Sequence, residues 1–209
     1  MTLIPHRIPF ILPKIFPSLL WRMPVTEKFI YLTFDDGPVP GPTEFVLDLL
    51  QSFQVKATFF CIGDNVQKHP EVFQEIIKKG HAIGNHTFNH LKGCSTSVKE
   101  YVENIKQCDA QLSMVNGQLP ILFRPPYGRI THRQIKALSD YRIVMWDVLS
   151  HDYQQGGRNE DYLKGTIKAT RPGSIVVFHD SIKAEEKLKY ILPKYLEHFL
   201  HLGYRFKIL

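Results

Sequence analysis

Apolar and polar positions along this chain follow two alternating periods. Short runs rich in β-branched and aromatic residues fall at 29–34, 57–62, 81–84, 121–123, 142–148, 174–178 and 204–208. Bounded by turn formers, they read as strands. Between them the spacing becomes helical. Residues 43–53 place Val46, Leu49, Leu50 and Phe53 on one face. Residues 70–79 open with a proline suited to a first helical turn, and Gly80 suits the end. Ser97 and Glu100 form a capping-box pattern that opens a long helix carrying Val98, Tyr101, Val102, Ile105, Cys108 and Leu112. Further helices are expected over 131–139, 161–169 and 183–200, the last with a kink at Pro193. Seven strands alternating with helices predict a parallel α/β sheet, open or closed into a barrel.

The first 24 residues break this rhythm. Pro5, Pro9, Pro13 and Pro17 recur every fourth residue and forbid a continuous helix. The segment has no small-x-small cleavage site and no uninterrupted apolar core. Residues 1–24 are therefore expected to be a proline-rich arm packed on a single domain of residues 25–209, with contact to a membrane surface as the second reading. No other stretch is long enough to span a bilayer. These features leave the location open between cytoplasmic and envelope-associated.

Composition changes this picture little. The chain has 209 residues, 44% of them hydrophobic and 22% charged, as in an ordinary globular protein with one sizeable core. The net charge of +6 favours anionic partners. No basic run interleaved with aromatics argues for nucleic acid. Cys61, Cys94 and Cys108 are odd in number and lack a CxxC pattern, so neither a disulfide framework nor a zinc ribbon is expected.

Where the strands end, the chemistry concentrates. Asp35-Asp36-Gly37-Pro38 follows the first strand, and His86-Thr87-Phe88-Asn89-His90 the third. Arg124-Pro125-Pro126-Tyr127-Gly128 follows the fourth, Asp147 and Asp152 the fifth, and His179-Asp180 the sixth. In parallel α/β folds the carboxyl edge of the sheet is where working residues gather. Adjacent carboxylates repel unless a cation relieves them. Two histidines four apart with one aspartate make a three-ligand metal set with open positions. Taken singly, Asp-Asp-Gly-Pro is also a good turn and a lone histidine a good core residue.

Together these segments resemble the polysaccharide deacetylase family, the carbohydrate esterases that share the NodB homology domain. Thr33–Pro38, His86–His90 and Arg124–Gly128 look like its first three motifs. Asp152-Tyr153 stands where the fourth reads Asp-Trp, and Val177-Phe178-His179 where the fifth reads Leu-x-His. The resemblance runs from Lys28 to Leu209 and implies a distorted (β/α)₇ barrel that removes acetyl groups from N-acetylated glycans. It implies Asp35 as general base and Asp36, His86 and His90 as ligands of zinc, or of cobalt, nickel or manganese. Arg124 would tune Asp35, and the Tyr127 N–H would bind the oxyanion. His179 would act as acid, with Asp152 setting its charge. Pro126, Tyr153 and Val177 would wall the substrate pocket, and Thr87 would orient a ligand from within its loop. Two other readings stay open: hydrolysis of another C–N bond, such as a cyclic imide or ureide, and a non-catalytic carbohydrate-binding protein. The particular glycan, the oligomeric state and the role of Asp147 are not readable from the sequence.

Overall fold

The computed structural model describes residues 5–25, 27–117 and 119–209. Its centre is β1 (Phe29–Asp35), buried at all seven positions. A strand covered on both faces needs apolar side chains on both, which is why Phe29 to Phe34 reads as a nearly unbroken hydrophobic run. The other strands are β2 (Thr58–Cys61), β3 (Ala82–Asn85), β4 (Leu122–Phe123), β5 (Arg142–Ile143), β6 (Val148–Leu149), β7 (Ile175–His179) and β8 (Arg205–Lys207). They form one sheet in the order β5-β4-β3-β2-β1-β7-β6, with β8 paired to the start of β1. Every pairing is parallel. Parallel neighbours need crossovers, and helices supply them. These are α2 (Pro42–Ser52), α3 (Gly63–Lys68), α4 (Pro70–Lys78), α5 (Val98–Asn116), α6 (His132–Ala137), α7 (Asn159–Ala169) and α8 (Glu185–His201), after a single turn α1 (Leu12–Ile15) in the arm. Among the described residues no helix is long and apolar enough to cross a membrane.

The period of two along β1 divides its side chains. Ile30, Leu32 and Phe34 face the helices and join the main core with Val46, Leu50, Leu188 and Tyr195. Phe29 and Tyr31 face the inside of the curl with Phe60, Leu122, Val144 and Ile175. By the same alternation Thr33 and Asp35 also point inward. The carboxylate therefore lies within the bowl of the sheet, not in the helix layer.

The expected parallel α/β architecture in a single domain is borne out, as a curled half-barrel. Strand number is corrected from seven to eight. The run 142–148 is not one strand, because its two ends serve different neighbours. Ile143 pairs with β4 and Val148 with β7, and a chain crossing the gap between two edges cannot hold one ladder. The arm lies along this gap. Leu20 pairs beside Val144, Arg7 lies antiparallel to Val148, and Arg22 lies antiparallel to Ser174. The helix α3 and the turn α1 were not foreseen. The last helix runs through Pro193.

Candidate active site

Loops that leave the carboxyl edge of the sheet after β1, β2, β3, β4, β6 and β7 meet over a cleft of about 820 Å³. Five of the six non-glycine residues with positive φ among the described residues stand in these loops: Asp36, Thr87, His90, Tyr127 and His151. Side chains other than glycine tolerate that conformation poorly, so the surrounding contacts must hold it.

Asp35 ends β1 with its side chain 6% exposed. Its Oδ1 is 2.6 Å from Arg124 Nη1, which also donates to Thr33 Oγ1 at 2.8 Å. Arg124 is wholly buried. Its other nitrogens donate to the carbonyls of Val144 and Met145, and its guanidinium lies 4.1 Å from the Phe60 ring centre. Burial pushes the Asp35 carboxyl up, but Arg124, then His86 and His179, outweigh it and hold it below its ordinary value.

The next residue turns away. Asp36 has φ 81°, and Asn65 on α3 donates to its carbonyl at 2.7 Å. Gly37 follows, its N–H donating to Asp180 Oδ1 at 3.1 Å. A Cβ at Gly37 would lie 2.0 Å from Asp180 Oδ2, so only glycine fits there. Asp180 also receives a bond from Thr43 Oγ1 at 2.7 Å. Burial, reinforced by Asp36, pushes Asp180 up to about 8.

Across the cleft the loop after β3 brings His86 and His90 to Asp36. Asp36 Oδ1 is 3.7 Å from His86 Nε2 and 3.3 Å from His90 Nε2, and these three donor atoms lie within 4.8 Å of one another. His86 Nδ1 is 2.7 Å from the Arg124 carbonyl. That bond requires the proton on Nδ1 and turns the Nε2 lone pair toward Asp36. Arg124 thus orders two partners, Asp35 by its side chain and His86 by its backbone. Burial and then His86 push His90 down to about 4 against the pull of Asp36, so its imidazole is neutral, as a ligand must be. Asp36 Oδ1 is buried and has no hydrogen-bond partner among the described residues. An orphaned carboxylate oxygen facing two imidazole nitrogens fits a divalent cation.

Thr87 accepts from the Leu91 N–H at 2.9 Å, which closes the loop around His90. Its own N–H donates to Asn85, a buried side chain tied also to Ile105 and Asp109.

His179, at the end of β7, is the register partner of Asp35 at the end of β1. Its Nδ1 is 2.7 Å from Asp152 Oδ1, and its N–H donates to Asp152 Oδ2 at 2.8 Å. Burial opposes the imidazolium, but Asp152, with Asp36 and Asp35 behind it, outweighs burial and raises His179 to about 9. The Tyr153 ring stands edge-on to His179 at 4.8 Å. Tyr127 has φ 61°, and its ring lies 4.5 Å from that of His90. The turn holds itself through Gly128 and Arg129, whose N–H groups donate to Pro125 and Pro126.

Of the residues expected to wall the pocket, Tyr153 and Val177 line the cleft and Pro126 does not; Pro125 takes its place. Pro126 is buried at the start of the turn. Asp147 lies outside the cleft lining. It is buried, bonded twice to Arg171 and once to Ser174, and so ties the β5–β6 segment to the turn before β7. Sequence reasoning missed Asn65, Trp146 and Asp180. Asp180 carried a signal in directly following His179, whereas Asn65 sits on the helix that was not foreseen.

A curled parallel sheet whose loops join a His₂Asp donor set, a buried carboxylate and a histidine–aspartate pair fits a metal-dependent hydrolase. Comparison with known proteins agrees. The chain belongs to the polysaccharide deacetylase family, whose model matches residues 22–146. It is 37% identical over 190 residues to a peptidoglycan-N-acetylglucosamine deacetylase of Bacillus cereus, covering 89% of this chain and 88% of that one. It is 32% identical over 154 residues to the peptidoglycan-N-acetylmuramic acid deacetylase of Bacillus subtilis, covering 74% of this chain but only 32% of that longer protein. The fold matches a solved peptidoglycan N-acetylglucosamine deacetylase in complex with 4-naphthalen-1-yl-N-oxidanyl-benzamide, with a TM-score of 0.87, 31% identity, and coverage of 92% of this chain and 91% of that one.

Proposed function

We propose that this protein removes the N-acetyl group from N-acetylglucosamine-type residues of peptidoglycan, using zinc held by Asp36, His86 and His90. The observation that carries the reading is that one cleft holds, beside the donor set, two differently tuned pairs: Arg124 with Asp35, and Asp152 with His179. A bound divalent ion would polarise the acetyl carbonyl and acidify the attacking water. Asp35, ionised and fixed by Arg124, accepts the proton that water loses as it attacks. The Tyr127 N–H would donate to the oxyanion that develops on the carbonyl. His179, protonated and held by Asp152, gives its proton to nitrogen as the C–N bond breaks. An amide nitrogen is too basic to leave as an anion, so the reaction needs an acid opposite its base. Acetate and a free amine result. Tyr153 and Val177 wall the acid side, and Thr87 keeps the ligand loop closed.

The test is acetate release from peptidoglycan fragments and chitin oligomers, and ring opening of a cyclic ureide, with Asp35→Asn alongside. The expected result is turnover of N-acetylated sugars by the wild type. Asp35→Asn should lose that turnover while binding metal as before. Turnover of the ureide alone would overturn the reading, and full activity of Asp35→Asn would remove Asp35 from the role of base. A carbohydrate-binding protein without activity would have no use for a base and an acid held so differently.

A further inference from the structure

The cleft around Asp36 is lined by three cations, Lys92, Arg129 and Lys183. All three residues are exposed. Among the described residues none of them pairs with a carboxylate. They come from three separate loops, after β3, β4 and β7. The first two of these loops touch, since a Cβ on Gly93 would lie 2.9 Å from the Arg129 carbonyl. Lys183 belongs to the opposite wall, its Nζ 5.6 Å from the Tyr153 ring, which itself stands against His179. Positive charge therefore flanks the reaction centre on two sides.

The acidic residues lining the cleft are Asp35 and Asp36. Neither offsets the rim. Asp35 is neutralised by Arg124 at 2.6 Å, and Asp36 belongs to the donor set. A concave site of low-dielectric walls focuses such an unbalanced charge on whatever enters it. Between the cations the lining is apolar and open. Tyr127 is 60% and Ile182 65% exposed, and Trp146 also lines the cleft. Large apolar side chains left in solvent beside unpaired cations suit a ligand with flat sugar faces and negative substituents.

We infer that the cleft selects N-acetylated glycans carrying anionic substituents, carboxylate or phosphate, with Lys92, Arg129 and Lys183 meeting the charges on sugars that flank the one deacetylated. This rests on the deacetylase reading above and adds the charge of the substrate to it.

The experiment compares chitotetraose with the same oligomer bearing carboxymethyl or phosphate groups on its 6-hydroxyls, by acetate release at low and high salt. The anionic oligomers are expected to show a kcat/KM about tenfold higher at low salt, as three exposed ion pairs of ordinary strength would give. The advantage shrinks as ionic strength rises. The combined variant Lys92→Gln, Arg129→Gln, Lys183→Gln should lose the preference through KM. A variant with the same loss of charge on outer helices, Lys106→Gln, Lys168→Gln, Lys194→Gln, should keep it. A preference for only one of the two anionic forms supports the inference and names the substituent. Equal kcat/KM for neutral and anionic oligomers overturns it and leaves the deacetylase reading standing. So does a preference that survives in the rim variant. Acetate release from no glycan at all overturns the reading beneath.

Discussion

Arg124 Nη1 lies 2.6 Å from Asp35 Oδ1, and neither side chain is more than 6% exposed. A guanidinium is always charged and needs many acceptors when buried. Here Thr33, Asp35, Val144 and Met145 supply them. Asp35 depends on the arrangement as much as Arg124 does, because burial alone would raise its carboxyl. Arg124→Leu should therefore cost about 3–5 kcal/mol of stability, as for a buried pair broken on one side. Arg124→Lys should recover only part of this, lacking the planar fork. Denaturant unfolding monitored by tryptophan fluorescence gives the difference. Loss of less than about 1 kcal/mol in Arg124→Leu would mean that Asp35 finds another partner.

The raised His179 makes a pH prediction. Its proton is held up to about 9 by Asp152, so kcat/KM should fall on the alkaline side as the imidazole loses it. In Asp152→Asn that limb should move toward about 6.5, the value of a free histidine. Stability follows the same sign. The imidazolium–carboxylate pair contributes fully below about 6.5 and fades as pH rises through about 9. A pH–rate profile of both proteins reads the first effect, and melting temperature against pH reads the second. An alkaline limb that Asp152→Asn leaves in place would remove Asp152 from the role of holding that proton.

The orphaned Asp36 Oδ1 predicts that metal adds stability. Chelator-treated protein should melt lower. Adding zinc at about 100 times its Kd should return about 2.7 kcal/mol. His90→Ala and Asp36→Ala should abolish that response, since each removes one of three ligand atoms. Calorimetry with and without metal measures it. An equal gain in the Asp36→Ala protein would place the ion elsewhere.

Gly37→Ala tests the seam between the first and last motif loops. The added methyl would meet Asp180 at 2.0 Å, which no rotamer change of alanine relieves. A cost of about 1–3 kcal/mol from overpacking should come with a loss of metal affinity, because the displaced loop carries Asp36. Isothermal titration and unfolding on the same variant separate the two effects. Unchanged metal affinity would show that the loop adjusts without moving Asp36.

Much of this was legible along the chain, for local reasons. The shift between strand and helix periods located β1, β2, β3, β7 and the main helices within one or two residues. Their interior faces are set by side-chain alternation, which the sequence carries directly. The clusters after each strand were legible because parallel topology sends every such loop to one edge. Among the described residues of the arm, the lack of a continuous helix followed from proline chemistry alone.

What needed the tertiary structure is whatever depends on two segments meeting. No local pattern announces that the run from Arg142 to Val148 divides between two neighbours, because both halves are equally β-rich. That Arg124 orders His86 by its carbonyl and Asp35 by its side chain joins positions 38 and 89 residues apart. That Asp180 leaves Gly37 no room for a Cβ joins positions 143 apart. Residue types and their order determined the fold class and which side chains carry the chemistry. Packing alone decided their distances, their protonation and the charge of the cleft they share. Those properties depend on burial and on neighbours, and the folded chain supplies both.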